Sequence, residues 1–163
     1  MKKWLLFLMA ILLLTGCGKP EDYETMSDQH LPASEPMASQ VQLTLPEDAA
    51  VLTLAEEKGS ALYLCQDYTI AVQTLPAGDL DATLREVTGY GREHLQVYTW
   101  TQGTLRRHEC VWVSAAETGD QVGKTVILDD GVFHYTVCML TAAENGEALH
   151  QVWQQIVKSV TLV

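Results

Sequence analysis

The sequence predicts an α+β fold: an antiparallel β-sheet meander with two main helices packed on it. Three observations carry this expectation. Short runs rich in β-branched and aromatic residues fill most of residues 41–140. The connections between these runs are turn-length, which joins antiparallel strands, whereas parallel strands need long crossovers. Only two stretches, 79–88 and 149–157, repeat their apolar residues at helical spacing.

Before the domain comes an address. Lys2 and Lys3 precede an unbroken apolar run of eleven residues, Trp4–Leu14, followed at once by Thr15-Gly16-Cys17. A cationic start, a short apolar stretch and small residues make a secretory signal. The run is too short to cross ~30 Å of hydrocarbon, which takes roughly 20 residues of helix. Leu14-Thr15-Gly16-Cys17 resembles the bacterial lipobox, whose cysteine receives a diacylglyceryl thioether and becomes the first residue of the mature chain. Residues 1–16 are thus expected to be a signal peptide and Cys17 a lipid anchor. The expected location is the extracytoplasmic face of the cell membrane, held there by two or three acyl chains at about 0.8 kcal/mol per buried methylene. Residues 17–40 follow as an acidic tether: Pro20, Pro32 and Pro36 lie among Ser, Asp, Glu and Gln with no apolar period.

The folded domain is expected over 41–163, a usual single-domain length. It opens with β-runs at Val41–Leu45, Val51–Ala55, Ala61–Cys65 and Tyr68–Gln73. Asp79 is a ready N-cap and Gly89 a ready terminator for a helix carrying Leu80, Leu84 and Val87. Strands return at Leu95–Trp100, Leu105–Ser114, Lys124–Leu128 and Val132–Leu140, with turns near Gly103, at Glu117–Asp120 and at Asp129-Asp130-Gly131. Thr141 and Glu144 have the spacing of a capping box. Leu149, Val152, Trp153, Ile156 and Val157 then form one apolar helical face, and Ser159–Val163 leaves it as a short closing strand.

Centring the two central turns at 118/119 and 129/130 pairs Val111 with Val126 and Val126 with Phe133. Val111, Val113, Val126, Leu128, Phe133, Tyr135, Val137 and Met139 then share a face that awaits the last helix. The opposite face collects His108, Cys110, Trp112, Thr125, Ile127, His134, Thr136 and Cys138, a mixed surface that the first helix, the N-terminal strands or a ligand must cover. On this register Trp112, Thr125 and His134 stand in a row across three strands, and Cys110 and Cys138 lie far apart. The candidate ligand face is therefore Trp112, His134, Thr125, His108 and Cys110.

Charge narrows the partners. Without the two lysines of the leader, eight basic residues face 21 acidic ones, a formal charge of −13. A nucleic-acid partner requires a basic stripe, and the only adjacent basic pair is Arg106-Arg107, placed at a solvated strand end. Beyond Cys17 the three cysteines Cys65, Cys110 and Cys138 are odd in number, so at most one internal disulfide is open to them, and three free thiols are equally compatible.

The string Gly-Lys-Thr-Val-Ile-Leu-Asp-Asp-Gly-Val-Phe-His-Tyr-Thr-Val at 123–137 leads to a helix ending Gln154-Gln155-Ile156-Val157-Lys158 and then Ser159-Val160-Thr161-Leu162. Together they resemble the PsbP-like superfamily, including the bacterial DcrB-like and LpqN-like lipoproteins. The order of elements matches over 41–163, and the recognisable string covers the last forty or so residues. The resemblance implies an α/β/α sandwich around an antiparallel sheet, and accessory or envelope proteins mostly without catalysis. It carries over no functional residue.

Gly-x-Ser-x-Gly, the phosphate-binding Gly-x-x-x-x-Gly-Lys-Ser/Thr, Gly-x-Gly-x-x-Gly, His-Glu-x-x-His and Cys-x-x-Cys are all missing from the sequence. The acidic pairs Glu56-Glu57 and Asp129-Asp130 fall at turns, where acids are common. The expected protein is a non-catalytic binding or accessory module of the cell envelope, with no cofactor and no metal, recognising an envelope protein or a small ligand. The alternative is a small extracytoplasmic metal-binding protein or enzyme using His108, His134 and a cysteine on one sheet face.

Overall fold

The structure, a computed structural model, describes residues 35–52, 59–117 and 119–163. The leader, Cys17 and most of the tether lie outside the described residues, as do Glu56 and Glu57. The folded body is a unit spanning Pro36–Val163.

Its strands are β1 (Val41–Gln42), β2 (Ala50–Leu52), β3 (Ala61–Leu64), β4 (Tyr68–Pro76), β5 (Tyr98–Gln102), β6 (Leu105–Ala116), β7 (Gly119–Asp129), β8 (Phe133–Ala142) and β9 (Thr161–Leu162). The helices are α1 (Leu80–Thr88) and α2 (His150–Ser159), with short 3₁₀ turns at Arg92–His94 and Ala143–Asn145. Seven strands form one sheet in the order β2-β3-β4-β8-β7-β6-β5, and β1 pairs with β9 in a separate ribbon. Every pairing is antiparallel.

The expected helix at 79–88 forms as its residues direct. Asp79 accepts a hydrogen bond from the Asp81 N–H at 3.2 Å, and Gly89 adopts the left-handed φ of 79° from which its N–H reaches the Arg85 carbonyl. Leu84, with no exposed surface, packs on Cys110 and Ile127, flanked by Leu80, Leu95, Val97 and Trp112. Helix α1 thus covers one face of the sheet, the back face.

The front face is the larger core. Ile70, Val72, Val126, Leu128, Tyr135, Val137 and Met139 meet Trp153, Ile156 and Val157 of α2. Val41, Leu43 and Leu45 close one flank of this core together with Ala61 and Tyr63. The body's contacts begin before residue 41, since the Ser39 N–H donates to the Tyr135 hydroxyl and Gln40 exchanges backbone bonds with Val163.

The register departs from expectation by even steps. Val111 lies opposite Lys124 and not Val126, because the strands resume pairing at Ala116 and Gly119, placing Gly119 within β7. Val126 lies opposite Val137 and not Phe133, because the second turn holds four residues between Asp129 and His134. That turn is built by its acids: Asp129 Oδ1 accepts from the Gly131 N–H, and Asp130 Oδ1 accepts from the Val132 and Phe133 N–H groups. Steps of two and four leave every side chain on its expected face.

Two other expectations fail. Thr141 is not a helix cap: it stays inside β8, where its hydroxyl donates to the Asp67 carbonyl at 2.6 Å, and α2 begins nine residues later without a side-chain cap. Arg107 is not at a solvated strand end either, being only 7 % exposed.

Candidate functional site

The corrected register redistributes the predicted ligand face. Trp112 lies opposite Gly123, Cys110 and Cys138 both lie opposite Thr125, and His134 lies opposite Asp129. Trp112, Thr125 and His134 therefore do not form a row. Cys110 and Cys138 are level with each other, two strands apart across Thr125. Adjacent strands are roughly 4.8 Å apart, so this separation still exceeds the reach of a disulfide, and all three described cysteines are free.

These side chains are occupied with one another. Trp112 Nε1 donates to Thr125 Oγ1 at 3.1 Å, and Thr125 Oγ1 donates to Cys138 Sγ at 3.4 Å. Imidazole Nδ1 of His134 meets the Thr83 hydroxyl of α1 at 2.7 Å, and that of His108 meets the Thr99 hydroxyl at 2.8 Å. Both Nε2 atoms point to Asp129 Oδ2, at 3.8 Å from His108 and 3.7 Å from His134, too far for hydrogen bonds. Asp129 is instead neutralised by Arg106 at 2.8 Å.

Burial pushes the Cys110 thiol up to about 11 and the Cys138 thiol upward as well, so neither is a thiolate near neutral pH. Among the described residues no three His, Cys, Asp or Glu side chains are arranged to hold a metal ion. The back face is a second core, sealed by α1.

The open site is on the front face. Helix α2, ten residues long, is roughly 10 Å wide and spans about two strands. It covers the sheet's middle and leaves the β5–β6 hairpin bare. Tyr98, Trp100, Val111 and Val113 remain 59, 42, 55 and 57 % exposed there. Between this hairpin and α2 lies a groove of about 800 Å³, a usual volume for a ligand pocket.

Trp100 and Tyr98 form one wall of the groove, and His150, Trp153, Gln154 and Lys158 of α2 the other. Its floor is charged. Arg107 lies 5.7 Å from the Trp100 ring centre, donates through Nε to Glu109 at 3.0 Å and through Nη2 to the Val157 carbonyl at 2.7 Å. The hairpin is thereby locked to the helix.

Lys124 is 7 % exposed, and its Nζ donates to Nδ1 of His150 at 3.3 Å. Burial pulls its ammonium below the ordinary lysine range. No motif in the sequence marks this site, and its one signal is that Lys124 shares the inward face of Val126 and Leu128. A lysine at an inward strand position is costly unless it has a task.

No protein-family model matches the chain, and no curated protein matches it. Solved structures do. LpqN of Mycobacterium tuberculosis, described as involved in cell envelope biogenesis, superposes with a TM-score of 0.55 at 14 % identity, over 80 % of this chain and 87 % of that one. The Ran-binding protein Mog1p of Saccharomyces cerevisiae gives 0.54 at 14 %, over 76 and 90 %. Cyanobacterial PsbP from Synechocystis gives 0.50 at 9 %, over 80 and 96 %. At such identities the likeness is one of architecture. A seven-stranded antiparallel sheet held between α1 and α2, with a β1–β9 ribbon beside it, is a PsbP-like fold, and this chain has it.

Proposed function

We propose that the chain is a lipid-anchored, extracytoplasmic binding module of the cell envelope, without catalysis, and that it holds its ligand in the groove between the β5–β6 hairpin and α2. The observation that carries this reading is the groove itself: exposed aromatic rings beside a buried lysine, on a hairpin that Arg107 fixes in place. Such a mixture of flat apolar wall and few polar groups suits a small ligand or a short segment of a partner.

The residues at 1–17 support the anchor, and the involvement of LpqN in cell envelope biogenesis is in keeping with that location. No described helix is long and apolar enough to cross a membrane. A non-catalytic role fits the back face, where the imidazoles bond threonines and the thiols are held protonated.

Two measurements test the proposal. Cys17→Ser is expected to release the protein from the membrane fraction, and a variant still sedimenting with membranes overturns the anchor. In detergent-solubilised full chain, small ring compounds such as benzoate and benzamide are expected to shift the amide resonances of β5, β6 and α2. Trp100→Ala is expected to weaken binding about tenfold, the loss of one aromatic contact of about 1.4 kcal/mol. Shifts confined to other parts of the body overturn the groove as the site.

A further inference from the structure

We propose that the groove selects an anion, a ring-bearing carboxylate or phosphate, whose charged end pairs with Lys124 while its flat body lies against Trp100 and Tyr98. This deepens the binding reading above and rests on it.

The argument starts from an uncompensated charge. Lys124 is 93 % buried, and among the described residues no carboxylate lies within ion-pair distance of its Nζ. It shares its row with Val111, Met139 and Ile70, positions where an apolar side chain would pack. Its one partner, His150 Nδ1, must be an unprotonated nitrogen to accept the bond, so it brings no negative charge. Among the described residues, two of the three ammonium hydrogens therefore have no acceptor. A buried cation without a counter-ion is among the costlier arrangements a core can contain, and an arriving anion removes that cost.

The surroundings favour the same sign. The whole chain has a formal charge of −11, yet the groove is lined by Arg107, Lys124 and Lys158 against the single carboxylate of Glu109, which Arg107 already binds. Lys124 and Lys158 are thus left over in one concave place on an otherwise acidic molecule. Carboxylate and phosphate both supply the acceptor oxygens that the free ammonium hydrogens require. The rings of Trp100 and Tyr98, half-exposed beside the cations, supply a flat apolar surface for the rest of the ligand.

The test uses the full chain in detergent and four probes that share a ring: benzoate, phenyl phosphate, benzamide and benzyl alcohol. Benzoate or phenyl phosphate is expected to bind at least about tenfold more tightly than the two neutral probes, and the tighter of the two identifies carboxylate or phosphate as the preferred head. Lys124→Met is expected to erase this gap while raising the melting temperature, because an apolar chain of similar length replaces a buried charge. Equal binding of benzoate, phenyl phosphate and benzamide at the groove overturns the anion preference and leaves the groove reading standing. If none of the four probes perturbs the groove, both fall. A Lys124→Met protein that melts lower than wild type, with the gap intact, shows the lysine to be structural and also overturns the inference.

Discussion

His108 is the residue whose environment most directly sets a solution property. Its ring is 6 % exposed, its Nε2 has no hydrogen-bond partner, and burial holds its pKa below the ordinary 6.5, against the opposing pull of Asp129. His134 and Arg106, also close to Asp129, add to the lowering. The unfolded chain therefore binds a proton that the folded chain resists as pH falls below about 6.5, so stability drops in that window. Urea unfolding between pH 7.5 and 5 is expected to show the loss, and His108→Gln to flatten part of its slope. Gly123 shows a second constraint at one position. A Cβ there would collide with the Trp112 ring, which also packs on Tyr90 at 6.3 Å between centroids. Gly123→Ala is expected to cost about 1–3 kcal/mol and to change the near-ultraviolet circular dichroism of the displaced indole.

The two helices differ in how they are held. Helix α1 carries its own signals, Asp79 at the start and Gly89 at the end, so Asp79→Ala is expected to cost about 1 kcal/mol in thermal unfolding. Helix α2 lacks a side-chain cap and depends on its buried face. Trp153→Ala is expected to cost about 3–5 kcal/mol, beyond any single cap. This difference also explains what the sequence discloses. Periodicity located both helices, because an apolar stripe is a local pattern, but the Thr141 and Glu144 spacing misled because β8 has Asp67 to bond and continues through it. Hairpin faces were legible through alternation, whereas levels along the strands were not. They depend on whether a turn such as Asp129–His134 holds two or four residues, and the acids that stretch it bond backbone groups that only the folded turn presents.

For the body taken together, the sheet filling and the PsbP-like architecture follow from the element order, and the groove does not. Its existence turns on how far a ten-residue helix reaches across a seven-stranded sheet, a matter of relative placement that no local pattern encodes. The clue was an anomaly at Lys124, a charge on a face otherwise written in apolar residues. The polar residues of the opposite face serve packing within the body: His134 bonds Thr83 of α1, His108 bonds Thr99 of β5, and Trp112 bonds Thr125, while Cys110 packs on Leu84 and Ile127.

Cys110 and Cys138, each flanking Thr125 and each kept as a neutral thiol, have a practical consequence. With Cys65 also unpaired, the body owes none of its cohesion to sulfur cross-links. It can fold without help from oxidising enzymes. Adding dithiothreitol should leave its melting curve where it was, and a downward shift of several degrees would reveal a covalent staple.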